Sequence, residues 1–218
     1  MSISAVVLLS GGLDSVYNLY RAYEEHGEAL LALSLNYGQK AFKQELKAAQ
    51  YFADELKVSL QTLDISNVFT GDESSLTSSN EIPTDEVDIE SYEKSVSSAK
   101  KVWVANRNGV LINVAACIAE KNIASYVIPG FNLEEAETFP DNSEDYIQKI
   151  NETLRLSTSN SVQVKCYSQR MNKKQMVADA LERKINLDKI WSCYYGGETP
   201  CGKCESCQRL RRAIEENS

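Results

Sequence analysis

The apolar run Ala5-Val6-Val7-Leu8-Leu9 stops at a hexapeptide, Ser10-Gly11-Gly12-Leu13-Asp14-Ser15. Apolar residues then return at helical spacing as Val16, Leu19, Tyr20 and Tyr23, up to Gly27. A β-branched run followed at once by a 3.6-residue period predicts a buried strand, a tight turn and a helix. Two glycines let a backbone pass close to a ligand. The first amides of a helix lack partners within it, and its dipole favours an anion there. Ser10 and Ser15 add hydroxyl donors. Asp14 is a carboxylate where an anion is expected. It suits either a helix N-cap or a ligand for the Mg²⁺ that accompanies a nucleotide. Two readings stand: a capped tight turn, or a phosphate-binding loop running from Leu9 to Ser15. The loop fits neither G-x-G-x-x-G nor G-x-x-x-x-G-K-[ST].

The strand–helix pattern then recurs. Residues 29–35 read as a second buried strand, leading into Asn36-Tyr37-Gly38-Gln39-Lys40. Phe42, Leu46, Ala49, Ala53 and Leu56 mark one face of a helix, and residues 60–65 a third strand. Strands alternating with helices predict an α/β fold, a parallel sheet with helices on both faces. Residues 66–100 are rich in Ser, Thr, Asp and Glu without a strong period. They read as a long, partly disordered surface excursion, with a lid over the site as the functional alternative.

Asn106-Arg107-Asn108-Gly109 opens an apolar stretch, 110–119, that reads as a core helix carrying an inert, buried Cys117. Arg107 at a helix start opposes the dipole, which favours an anion in front of it. Residues 125–128 are a fourth strand, followed by a polar, acidic stretch to Ser143. Open α/β sheets bind ligands beyond the carboxyl ends of their strands, so this stretch should border the pocket. Asp141 and Glu144 look like a capping pair for a helix through Tyr146 and Leu154. Asp141 beside Phe139 also suits a guanine-like ligand, the acid on its edge and the ring on its face. Residues 162–164 are a candidate fifth strand, and Lys173 and Lys174 sit at the start of a further helix, again against the dipole.

The tail carries a second pattern, Cys193-x7-Cys201-x2-Cys204-x2-Cys207, with Gly196, Gly197 and Gly202 between. Four thiolates at such spacing suit a closed tetrahedral Zn²⁺ site, which leaves no open position and is therefore structural. Redox or catalytic cysteines are the alternative. The length of 218 residues suits one α/β unit, 1–190, with a small cysteine segment, 191–218, packed on it. A formal net charge of −8 argues against direct nucleic-acid binding and against anionic membranes. No stretch approaches the ~20 apolar residues of a membrane span, and the first residues lack the basic character of a leader. A cytoplasmic protein is expected. The lone histidine, His26, falls at the end of the first helix and makes a histidine-based triad improbable.

Ser10 to Ser15 resembles the SGGxDS loop of the PP-loop ATP pyrophosphatases. Taken with Tyr37-Gly38-Gln39, Asn106-Arg107-Asn108-Gly109, Phe139-Pro140-Asp141, Lys173 and Trp191-Ser192-Cys193-Tyr194 with the three later cysteines, the chain resembles the 7-cyano-7-deazaguanine synthase family. One departure is Asn142-Ser143, where many members carry Cys-Arg; a second branch is similar to the present version. The resemblance implies a Rossmann-like, adenine-nucleotide-hydrolase type of fold. It implies ATP with Mg²⁺ at Leu9 to Ser15, Tyr37 and Gln39, and substrate at Arg107, Asn108, Phe139, Asp141 and Asn142. Asp14, Ser15, Lys173 and Arg107 would carry the chemistry. The implied reaction joins 7-carboxy-7-deazaguanine and ammonia in two ATP-dependent adenylations to give a nitrile, for queuosine or archaeosine. A homodimer is compatible with it. Rival readings are a PP-loop enzyme acting on tRNA, such as a thiolase, a nucleotide-binding regulatory domain without turnover, and a zinc-organised interaction module.

Overall fold

The structure is a computed structural model and describes residues 2–84, 87–89 and 91–217. Its centre is a five-stranded, wholly parallel sheet in the order β3-β2-β1-β4-β5. The strands are β1 (Ala5–Leu8), β2 (Leu30–Asn36), β3 (Ser59–Asp64), β4 (Tyr126–Ile128) and β5 (Gln163–Val164). All five meet the sequence expectation to within a few residues.

Alternation along continuous apolar strands builds two cores, one on each face. Ala5, Val7, Leu30 and Ala32 point to one side. There they meet α1 (Leu13–His26), α2 (Phe42–Glu55), α7 (Lys173–Glu182) and α8 (Glu205–Glu215), through Val16, Leu19, Phe52, Met176, Val177 and Ala213. Val6, Leu31, Leu33 and Leu35 point to the other side and meet α4 (Arg107–Lys121) and α6 (Glu144–Ser157) through Ile112, Ala115, Ala119 and Leu154. Gly27 ends α1 with φ +59°, a conformation that suits glycine, and its amide caps Tyr23 O.

The strand order reverses at β1. The chain goes from β1 to β2 on one side and later returns to β4 on the other. That reversal opens a crevice above the carboxyl ends of β1 and β4, where the hexapeptide lies. Gly130, just past β4, closes the floor. A Cβ there would stand 2.6 Å from Ser15 N and 2.8 Å from Asp14 C, so the turn after β4 rests directly on the first turn of α1.

Three local expectations are corrected. Residues 66–100 are not a loose excursion. A 3-10 turn (Ser66–Phe69) and α3 (Tyr92–Val102) give them structure, and Phe69, Leu76 and Ile82 are buried; Asp85, Glu86 and Glu90 lie outside the described residues. α3 escapes a periodicity reading because its buried positions are mostly small or polar: Ser95, Ser98, Ala99 and Val102. The cap of α6 is Ser143, whose side chain accepts from Tyr146 N, rather than Asp141, which sits in a preceding 3-10 turn (Pro140–Asn142). Cys117 is exposed, because α4 buries only one stripe against the sheet. Among the described residues no single helix is long and apolar enough to cross a membrane; α3 and α4 together match in length and composition but meet at 57°.

Candidate active site

The hexapeptide is held in shape by its own side chains. Ser15 Oγ donates to Gly12 O at 3.0 Å and accepts from Ser10 N at 3.2 Å. Gly12 N reaches Ser10 Oγ at 3.4 Å. Gly11 adopts φ +80°, and a Cβ there would lie 2.6 Å from Ala48 Cβ and 2.7 Å from Glu45 O. Only glycine lets the loop lie this close to α2. From the other side Trp191 N donates to Gly11 O at 2.9 Å. The loop is thus clamped between α2 and the segment that leads to the cysteines.

Asp14 does not cap α1; the N-cap is Gly12. Asp14 Oδ2 instead accepts from Lys173 Nζ at 2.8 Å, and Oδ1 from Asn132 Nδ2 at 2.9 Å. Lys173 Nζ lies 3.0 Å from Glu135 Oε1 as well, with its side chain only 5% exposed. One buried ammonium therefore bridges two carboxylates. Burial works against the charge on Lys173, but Asp14 and Glu135 overcome it and hold it firmly protonated. Burial likewise opposes ionisation of Glu135, and Lys173 more than offsets this, leaving its carboxyl below the usual value. At Asp14 burial prevails and raises the carboxyl above its usual value despite Lys173. The Lys173 ammonium lies between these two carboxylates.

Above the loop opens a cavity of about 230 Å³. Leu9, Ser10, Gly12, Asp14, Ser15, Tyr37, Gln39, Arg107, Asn108, Phe139 and Asn142 line it. The sequence assigned these residues from four distant stretches, and the fold brings them together. Four assigned residues stand apart from its wall. Gly11 faces α2, Leu13 is in the core, Lys173 stands behind Asp14, and Asp141 sits one step back, hydrogen-bonded to Asn108. Burial raises the Asp141 carboxyl, against the nearby charge of Arg107.

The far end of the cavity is aromatic and cationic. The Arg107 guanidinium lies over the Tyr37 ring, 5.6 Å from its centroid, and Nη1 reaches Tyr37 Oη at 3.4 Å. Among the described residues Arg107 has no carboxylate within ion-pair distance, so its charge is free for a ligand. The Phe139 ring is stacked on Trp103 at 6.1 Å and 6°; one of its faces is taken by protein.

Several residues here were given no individual role from the sequence, although the stretch to Ser143 was expected to border the pocket. Glu45 and Glu135 line the cavity, and Asn132, fully buried, holds Asp14 while capping α5 (Leu133–Ala136). Trp191, Ser192 and Tyr194 form another wall. Burial pushes the Glu45 carboxyl up to about 7, against the hydrogen bond from Gln39 and the charge of Arg107. The signal for Asn132 was present, as an Asn preceding Leu133-Glu134-Glu135 is a helix cap. Glu45 carried none, being one of three acids on an amphipathic helix.

Beyond Trp191 the four cysteines converge. The sulfurs of Cys193, Cys201, Cys204 and Cys207 lie within 4.8 Å of one another. Tyr195 N and Cys201 N point at Cys193 Sγ at 3.4 and 3.3 Å, and Lys203 N and Cys204 N at Cys201 Sγ at 3.4 and 3.3 Å. Backbone donors aimed at sulfur stabilise thiolates and orient them, as around a bound metal. The donor set fits a soft, tetrahedral ion. Ile82 packs on the cluster, and its carbonyl accepts from Tyr195 Oη at 3.1 Å, which ties the 66–100 segment to the same corner.

The model of the family described as queuosine biosynthesis protein QueC matches residues 4–218. The chain belongs to this family. A 7-cyano-7-deazaguanine synthase of Bdellovibrio bacteriovorus is 44% identical over 96% of this chain and 91% of its own length. Another, of Carboxydothermus hydrogenoformans, is 42% identical over 96% and 97%. One of the archaeon Methanosarcina mazei is 40% identical over 98% and 94%. Among solved structures, a U34-tRNA thiolase of Methanococcus maripaludis with its [4Fe-4S] cluster superposes with a TM-score of 0.53, at 14% identity, over 99% of this chain and 63% of that one. At that identity the likeness concerns the fold alone.

The triad at the base of the cavity is open to a stability test. Lys173→Met should leave two partly buried carboxylates without their cation and cost about 3 kcal/mol near neutral pH. The loss should shrink as pH falls, because the unpaired carboxyls then titrate above their unfolded values and protonation relieves them. Urea unfolding at pH 8 and pH 5 measures both.

Proposed function

We propose that the protein is an ATP-dependent carbon–nitrogen ligase that turns 7-carboxy-7-deazaguanine and ammonia into 7-cyano-7-deazaguanine. The observation that carries the reading is one continuous cavity, with a pre-shaped phosphate loop at one end and an uncompensated guanidinium among aromatic rings at the other. The names of the curated relatives supply the product.

In this reading the amides at the start of α1, with Ser10 and Ser15, take the β- and γ-phosphates and stabilise the departing pyrophosphate. The substrate carboxylate attacks the α-phosphorus, and the bond from that phosphorus to the pyrophosphate breaks. Ammonia then attacks the acyl carbon, AMP leaves with the C–O electrons, and an amide remains. A second ATP is attacked by the amide oxygen, and loss of the second AMP leaves the nitrile. Arg107 holds the substrate's carboxylate, and Asn108 and Asn142, backed by Asp141, address the heterocycle's polar edge. Phe139 offers the face not taken by Trp103. Asp14, fixed by Lys173 and Asn132, sets the first turn of α1 rather than attacking anything. Holding two reactants in line supplies much of the rate, so no side-chain nucleophile is needed.

The four cysteines would hold one Zn²⁺, which supplies folding energy and no step of chemistry. It braces the segment from Trp191 onward and, through Trp191, the loop at Gly11. The tRNA-modifying alternative is disfavoured by the net charge of −8 and by the absorption of four cysteines into one closed cluster.

Elemental analysis should find one zinc per chain, and Cys204→Ser should lose it together with several degrees of thermal stability. With carboxylate and ammonia present, ATP should give AMP and pyrophosphate, two of each per nitrile. Ser15→Ala should slow this on the order of a hundredfold. Substrate-dependent release of ADP and phosphate would rule the ligase reading out.

A further inference from the structure

Glu45 reaches from the first turns of α2 into the cavity between the hexapeptide and Arg107. Its Oε2 accepts from Gln39 Nε2 at 3.0 Å. The Gln39 amide cannot turn away. Its Oε1 takes Tyr37 N at 2.9 Å, and Nε2 also donates to Leu35 O at 3.1 Å. A saturated amide thus fixes the carboxyl, whose other oxygen has no hydrogen-bond partner among the described residues. The helix turn that carries it is fixed too, since the Glu45 carbonyl abuts Gly11.

The other titratable groups around the cavity are committed. Lys173 is shared between Asp14 and Glu135. Asp141 is engaged with Asn108 and Asn142. His26 lies at the opposite end of α1, packed against Tyr126. The charged and titratable groups facing Glu45 are Tyr37, from the turn after β2, and Arg107, from α4. Neither lies within ion-pair or hydrogen-bond distance of its carboxyl. Glu45 is therefore a carboxyl in the cavity that carries no salt bridge and keeps an open lone pair.

The chemistry asks for such a group. Each half of the ligase reaction must strip protons from nitrogen, and this inference rests on that reading. We propose that Glu45 is the general base for both halves. In the first, ammonia's nitrogen bonds the acyl carbon and becomes positively charged. Glu45 takes one of its protons as the C–O bond breaks and AMP departs with the electron pair. In the second, the O-adenylated amide loses one N–H proton to Glu45, which returns it to water. It then loses the other as the C–O bond breaks and the nitrogen lone pair closes the triple bond. A base works best with a carboxyl that titrates near the working pH, and burial brings Glu45 to about 7.

Glu45→Gln keeps the shape and an acceptor for Gln39 while removing the base. Carboxylate-dependent exchange of pyrophosphate into ATP reads adenylation alone, without ammonia. It should stay within several-fold of the wild type. Amide formation, and nitrile formation from supplied amide, should each fall on the order of a hundredfold. With rates expressed per concentration of free NH₃, so that ammonium formation cancels, wild-type amide formation should decline as pH drops below about 7, because protonated Glu45 cannot accept; this limb should vanish in Glu45→Gln. Glu45→Asp should slow the nitrogen steps but keep a limb, and it carries the test if Glu45→Gln does not fold. Wild-type amide formation and an intact acid limb in Glu45→Gln would overturn the proposal, as would a parallel loss of exchange and amide formation. A wild type that shows no carboxylate-dependent exchange would instead overturn the ligase reading, and this proposal with it.

Discussion

A single ammonium, buried between two carboxylates, organises the crevice. Lys173 comes from the start of α7, Asp14 from the start of α1 and Glu135 from the short helix α5 that follows β4. These segments are far apart in the chain, and all three end at the place where the sheet reverses order. Burying the lysine alone would be prohibitive, and so would burying either acid alone. Together they set the distance between α1, α7 and the loop that carries Asn132, Phe139 and Asn142. Asn132 completes the arrangement by donating to Asp14 while capping its own short helix. The shape of the phosphate loop follows, because Asp14 and Ser15 are the residues through which α1 meets Gly130.

The cysteine cluster plays the corresponding part on the opposite wall. It sits just past Trp191, whose backbone amide holds Gly11. It also gathers Ile82 and Tyr195, and with them the segment between β3 and α3. A rigid knot at this corner therefore presses on both the loop and the aromatic wall of the cavity. Arg107 can remain without a carboxylate partner among the described residues because the ionic anchor on one side and the cysteine cluster on the other border the segments that carry the cavity wall.

Much of the molecule was readable before the structure. Residues Ala5 to Ser15 show a β-branched run, glycines and a helical period in succession, and each signal is local. The four cysteines are legible for a similar reason: short spacing with glycines leaves few alternatives. Residues 66–100 were misread because α3 buries Ser95, Ser98 and Ala99 rather than large apolar side chains, so its face has no hydropathy contrast. Trp103 was invisible as a partner of Phe139, since nothing in the sequence links residues so far apart. Lys173 was noted as misplaced against its helix dipole, and the misfit was informative. The anions that explain it, Asp14 and Glu135, come from other elements, and only the fold could supply them. Glu45 is the extreme case. On its helix it is one acid among several, and its environment is made entirely by tertiary contacts.

Transfer of oxygen isotope tests the central claim most directly, that the loop at Ser10 to Ser15 serves adenylation of a carboxylate. With both carboxylate oxygens of 7-carboxy-7-deazaguanine replaced by ¹⁸O, the first attack on the α-phosphorus should place one label in AMP. The amide should retain the other and pass it to the second AMP. Mass spectrometry of the products is then expected to show one ¹⁸O in every AMP and a nitrile free of oxygen label. Unlabelled AMP, or label appearing in inorganic phosphate, would contradict the account.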